Sequence, residues 1–184
     1  MPSPDERKWV QQAARGDRNA FAHLVDCYLS SLRRWLFTLT GKEHVAEDIS
    51  QEAFLKAWIA LPTYREEGSF RAWLFQIARR CWLDTERSGD TCQKLAFPEE
   101  VPAKPEDPLT DMIVNETQQQ LQNALAALPP NYRAAYLLWT QEELPYAEIA
   151  EILGITEDNA RWRVFQARRR LLQLLEPYLQ CRDL

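Results

Sequence analysis

Five arginines, Arg161, Arg163, Arg168, Arg169 and Arg170, fall within ten residues of a chain whose net charge is −5. Between Ile155 and Leu175 only Glu157 and Asp158 oppose them. Guanidinium forks match phosphate oxygens and the acceptor edges of bases, so the chemistry on offer is nucleic-acid recognition. The elements that must hold these side chains can be read from Leu144 onward. Tyr146, Ile149, Ala150 and Leu153 fall at i, i+3, i+4 and i+7, one apolar helical stripe. Pro145 suits the first helical position, Gly154 the helix end, and Thr156 the N-cap of a second helix. In that second helix Ala160, Val164, Ala167, Leu171 and Leu174 make the buried face, and the arginines lie off it. Two short helices around a glycine turn, the second one basic, form a helix-turn-helix that reads duplex DNA through the major groove. An ordinary helical hairpin with a solvated basic face has the same spacing. The local charge favours DNA.

Composition narrows the class. The chain has 184 residues, 46% hydrophobic, with only 5 Gly. No stretch sustains period-two alternation, which predicts an all-α protein. No apolar run reaches membrane-spanning length, and the N-terminus lacks the blocks of a signal peptide, so a cytoplasmic protein is expected. Cys27, Cys81, Cys92 and Cys181 are widely spaced and only His23 and His44 accompany them. Free thiols are therefore expected, with no metal site and no cofactor.

The charge is unevenly placed. Residues 1–88 hold 13 basic and 12 acidic side chains, residues 89–120 hold 2 and 7, and residues 121–184 hold 7 and 8. The middle stretch, rich in proline and acids, reads as a flexible linker over 89–114. It separates a helical domain at 1–88 from a second at 115–184. Neither domain has the excess basicity of a protein that holds DNA unaided, so a second source of affinity is implied.

In the first block, helices are expected at about 6–14, 19–39, 45–61 and from Ser69 onward. Phe21, Leu24, Val25, Tyr28, Leu32, Trp35, Leu36 and Leu39 mark one buried face. Ile49, Ala53, Phe54, Ala57 and Trp58 mark another, and Phe70, Trp73, Leu74, Ile77, Ala78 and Cys81 a third. On the helix at 45–61, Asp48, Gln51, Glu52 and Leu55 share a mostly acidic outer face. Solvation alone explains such a face; so does pairing with a basic partner. Around the last helix, aromatic and basic residues interleave, as single-stranded DNA binding requires. Phe70, Trp73 and Ile77 sit at core spacing. Tyr64, Arg65, Arg79, Arg80 and Trp82 are the better candidates for contact.

Three segments in order resemble a known family. Ala46–Trp58 (AEDISQEAFLKAW) is similar to the segment of bacterial sigma factors that grips the RNA polymerase clamp. Phe70–Arg80 (FRAWLFQIARR) resembles the segment that melts and reads the −10 promoter element. Ala124–Leu138, followed by LPYAEIAEILGIT and ARRRL, resembles the domain that reads the −35 element. Their spacing matches the short two-domain extracytoplasmic-function group.

The resemblance implies recognition rather than catalysis, with core RNA polymerase and promoter DNA as partners and an anti-sigma factor, a class that includes membrane-anchored members, as a third. Asp48, Gln51, Glu52 and Leu55 would then dock on polymerase. Tyr64, Arg65, Arg79, Arg80 and Trp82 would hold the melted strand. Thr156, Asn159, Arg161, Trp162, Arg163, Gln166, Arg168, Arg169 and Arg170 would serve the −35 duplex. Arg80 stands where a small polar residue is frequent in the family. Trp162 and Phe165 point away from the core stripe and alter the surface that meets the groove. A stand-alone dimeric helix-turn-helix regulator is the competing reading. Neither a phosphate loop nor a nucleophile elbow supports an enzyme.

Overall fold

A computed structural model describes residues 4–65, 68–87 and 119–180. The predicted linker, with Cys92, lies outside the described residues, as does Cys181. The regular secondary structure of the described residues is all helical, without a strand. The first domain comprises α1 (Pro4–Ala14), α2 (Arg18–Thr40), α3 (Glu43–Ala60), a single 3₁₀ turn (Leu61–Thr63) and α4 (Phe70–Arg87). The second comprises α5 (119–126), α6 (Pro130–Thr140), α7 (Tyr146–Leu153) and α8 (Glu157–Gln180).

Local chemistry sets the helix ends. The Asp17 carboxylate caps α2, accepting from the backbone N–H of Asn19 at 2.9 Å and of Ala20 at 3.3 Å, which satisfies two donors that the first turn leaves open. Gly41 ends α2 at φ 68 and Gly154 ends α7 at φ 62, both left-handed, where a Cβ would be strained. The Thr156 hydroxyl caps α8 by accepting from Asn159 N–H at 3.3 Å. Ser69 does the same at α4, accepting from Ala72 N–H at 3.4 Å.

The first core forms where α2 packs on α3 and α3 on α4. Leu24, Leu32, Trp35 and Leu36 on α2 meet Ile49, Ala53, Phe54 and Ala57 on α3, all buried. The alanines of α3 let the helix backbones approach closely. Trp35 packs against Phe75 of α4 at 5.3 Å between centroids, a tilted pair of the favoured kind. In the second domain α8 packs on α6 and α7 through Ala160, Val164, Ala167 and Leu171. Leu174, expected on that face, is 40% exposed. Its neighbour Leu175 is the residue that packs against the core there.

The two domains pack against each other, α4 on α7 and α2 on α6, an arrangement that a tether alone does not foretell. Several polar contacts cross the interface. Arg133, 5% exposed, donates to Leu39 O at 3.0 Å, Ala126 O at 3.3 Å and Leu128 O at 3.4 Å. Leu39 and Ala126 close α2 and α5, where helix carbonyls lack intrahelical donors and the dipole is negative. One guanidinium thus ties the end of α2 to the second domain.

Candidate polymerase and nucleic-acid surfaces

On α3, Asp48, Gln51, Glu52 and Leu55 are all exposed on one side of the helix, opposite the buried Ile49, Ala53 and Ala57. Glu52 is paired with Lys56 at 2.7 Å, and that bond raises the lysine above its ordinary range. Among the described residues Asp48 has no ion pair, so it is the carboxylate readier for a partner. Leu55 is 60% exposed and Ile59, one turn on, 69%. Ile59 extends the stripe by an apolar residue; the i+4 step from Leu55 is the signal that would have found it.

The set around α4 divides. Tyr64 lies half-buried in an aromatic cluster, 4.7 Å from Trp73 and 6.0 Å from Phe70. Its hydroxyl donates to Gly68 O at 3.1 Å, which ties the loop before α4 across itself. Trp73, expected in the core, is only half-buried and shares this edge with Tyr64. Arg65 and Arg80 are exposed. Arg79 is half-buried; burial pushes its guanidinium below the ordinary range, and the like charges of Arg163 and Arg80 push the same way.

Trp82 is the correction. It is 3% exposed and belongs to the packed core, so in this arrangement its ring is closed to DNA. The reason is a second stripe on α4. Ala72, Phe75, Arg79 and Trp82 fall at i, i+3, i+7 and i+10, and of these only Arg79 keeps partial exposure. The two thiols described, Cys27 and Cys81, are both free. Burial holds each above the ordinary range, which makes them poor nucleophiles.

On α8 the predicted residues spread around the outer half of the helix. Arg161 pairs with Glu157 at 3.0 Å and lies over the Tyr146 ring. Arg163 donates to Asn159 Oδ1 at 2.9 Å. Arg168 lies over Trp139 and Arg170 over Tyr132, so cation–π contacts pre-orient both. Gln166 is half-buried and Arg169 exposed. Trp162 and Phe165 are 49% and 60% exposed, as their helical angle predicts. Trp162 rests edge-on against Tyr132 at 5.6 Å.

Comparison with known proteins identifies the two domains. Sigma-70 region 2 matches residues 24–91, and Sigma-70 region 4 matches residues 118–171. The two helical domains are those of a sigma-70 family factor. The ECF RNA polymerase sigma factor SigW of Bacillus subtilis is 30% identical, with 92% of this chain and 96% of SigW covered. SigM of the same organism is 31% identical over 82% of this chain and 92% of its own length. The chain belongs to the extracytoplasmic-function sigma factors, RNA polymerase subunits that direct initiation to promoters. A solved structure of the sigma factor RpoE with the anti-sigma factor NepR, from Bartonella quintana, is 27% identical. It superposes with a TM-score of 0.66 over 85% of this chain and 96% of that one. CnrH, solved with the cytosolic domain of CnrY, has the same fold at 24% identity and a TM-score of 0.73, over 94% of this chain and 98% of that one. Family membership sets aside the stand-alone dimeric regulator. Among the described residues no helix is long and apolar enough to cross a membrane.

Proposed function

We propose that the initiation work is divided by domain, residues 1–88 docking on core polymerase and handling the −10 element, and residues 115–184 reading the −35 duplex. The observation that carries this reading is the pair of surfaces on neighbouring helices of the first domain. The exposed stripe Asp48, Gln51, Glu52, Leu55 and Ile59 on α3 takes the polymerase. The aromatic and basic edge of Tyr64, Arg65, Trp73, Arg79 and Arg80 takes the melted strand. Stacking on Tyr64 and Trp73 holds bases, and the arginines meet phosphates. Replacing Tyr64 with Ala removes one stacking platform, worth about 1–3 kcal/mol. Open-complex formation on duplex promoters, followed by permanganate footprinting, is expected to fall by about tenfold. A pre-melted template recovers part of that loss; wild-type opening by the variant would overturn the assignment.

On the −35 side, Arg161 and Arg163 lie in the first turns of α8, where base-edge contacts concentrate. Alanine at Arg161 is expected to relax sequence preference, whereas alanine at Arg169 weakens all sequences alike. With about three phosphates neutralised, the slope of log affinity against log salt is near about −3. Fluorescence anisotropy on a −35 duplex, with and without core enzyme, reads both. Tight specific binding by the free protein as a dimer would contradict the proposal. An anti-sigma factor is proposed as a further partner, supported by the complex of the related RpoE with NepR. The cytoplasm, where polymerase works, is the proposed location.

A further inference from the structure

Trp162 stands where a DNA-reading helix meets the bases. On α8 the buried Ala160, Val164, Ala167 and Leu171 define the inner face. At about 100° per residue, Trp162 points about 170° away from that face, along the outer crest. It lies in the second turn of α8, and the first turns of a recognition helix are those that enter the groove. Arg161 and Arg168 lie about 100° to one side of the crest, Arg163 and Arg170 about 100° to the other. Their long side chains reach a groove from its walls. What the crest itself presents is an indole, 49% exposed.

The ring is supported from one side. Tyr132 of α6 meets it edge-on, with 5.6 Å between centroids. Arg170 lies over the Tyr132 ring at 4.9 Å, so the support is itself clamped to α8. On the other flank Arg161 lies over Tyr146 of α7 at 5.3 Å. A tryptophan carries a large apolar surface and a single polar atom, the Nε1–H donor. Four guanidinia beside it favour a polyanion here over an apolar protein surface.

The floor of the major groove offers one projecting apolar group, the thymine 5-methyl; the other features of its base edges are hydrogen-bond donors and acceptors. An indole laid over the amino group of cytosine or adenine leaves that donor dry and unpaired, at a cost. Laid over thymine, it covers the methyl group and gains the burial. We propose that Trp162 is a specificity-determining residue that selects thymine within the −35 element by covering its 5-methyl group. The proposal deepens the reading of α8 as the helix that reads the −35 duplex, and rests on it. The flanking arginines cannot make this choice, because a guanidinium carries donors alone and reads acceptors.

The test uses the full chain in complex with core polymerase. A promoter duplex randomised at the −35 element is first selected for binding by the wild-type complex. Each thymine of the selected element, on either strand, is then replaced in turn by deoxyuridine, which lacks only the methyl group. Competition anisotropy reads affinity. One position is expected to lose about fourfold, the worth of one buried methyl group. Trp162→Ala, its fold verified by circular dichroism, should bind the thymine and deoxyuridine duplexes equally, and both more weakly than the wild type binds thymine. The proposal is overturned if no deoxyuridine weakens the wild type, or if the fourfold difference survives in Trp162→Ala. A loss of core-polymerase affinity in Trp162→Ala would overturn it too, by assigning the ring to a protein contact. Failure of the −35 reading itself is distinguishable: Arg161→Ala would then relax no base preference, and scrambling the whole −35 element would leave affinity unchanged.

Discussion

Reversing the charge at both Asp48 and Glu52 is expected to weaken core-polymerase binding by about 100-fold or more while leaving the unfolding midpoint nearly unchanged. Both carboxylates lie on the exposed side of α3, so their replacement disturbs no packed atoms. Surface changes of this kind stay within about 0.5 kcal/mol of the parent. Losing the Glu52–Lys56 pair, a solvent-exposed contact between neighbouring turns, adds only about 0.3–0.5 kcal/mol. Binding differs because a lysine brought against a basic partner meets like charge in a desolvated contact, a cost of several kcal/mol. Alanine at Leu55 and Ile59, 60% and 69% exposed in the free chain, should share the signature: weaker binding with unaltered stability. Competition binding against core enzyme, paired with thermal melts, separates the two effects. Undiminished affinity of the double reversal would remove α3 from the docking surface.

Trp35→Ala should do the opposite, unfolding the first domain without touching either contact surface. The indole is fully buried, at 0% exposure, with its ring against Phe75. Truncating such a side chain costs about 3–5 kcal/mol in lost transfer energy and cavity. That is a large part of the about 5–15 kcal/mol by which a domain is held folded. The melting temperature of the first domain is expected to drop by more than about 10 °C. Trp35→Phe keeps a ring beside Phe75. It also removes an indole N–H that has no acceptor among the described residues. As a smaller truncation than alanine, it should cost about 1–2 kcal/mol. Urea titrations followed by circular dichroism compare the three chains. An alanine variant as stable as the parent would mean the core does not close around Trp35.

Much of this was legible in the sequence because it is local. The α7 stripe, the left-handed Gly41 and Gly154 and the Thr156 and Ser69 caps each depend on neighbours within a few positions. The outward Trp162 and Phe165 and the acidic side of α3 follow from helical geometry alone. Misreadings arose where two helices far apart in the chain meet. Trp82 looked available because it lies off the first apolar stripe of α4. Its own stripe, with Ala72, Phe75 and Arg79, is interrupted by a charged residue and so stands out less than the first. Leu174 kept the period of α8 yet is exposed, while Leu175 beside it packs against the core. Arg133 and Glu142 had no signature, since an arginine that closes helix ends or a glutamate buried between guanidinia reads like any surface charge.

The order of residues along the chain therefore determined the helices, their ends, the faces they bury, and the family to which those helices belong. The tertiary structure alone decided which charged groups lie between the domains. A helix stripe is written by hydrophobic periodicity within one segment. The meeting of Arg34 and Arg71 with Glu142, 108 and 71 positions away, depends on how two complete domains dock. Guanidinia take carboxylate or phosphate with the same geometry, so residue type cannot distinguish an arginine meant for DNA from one already holding an acid of its own chain.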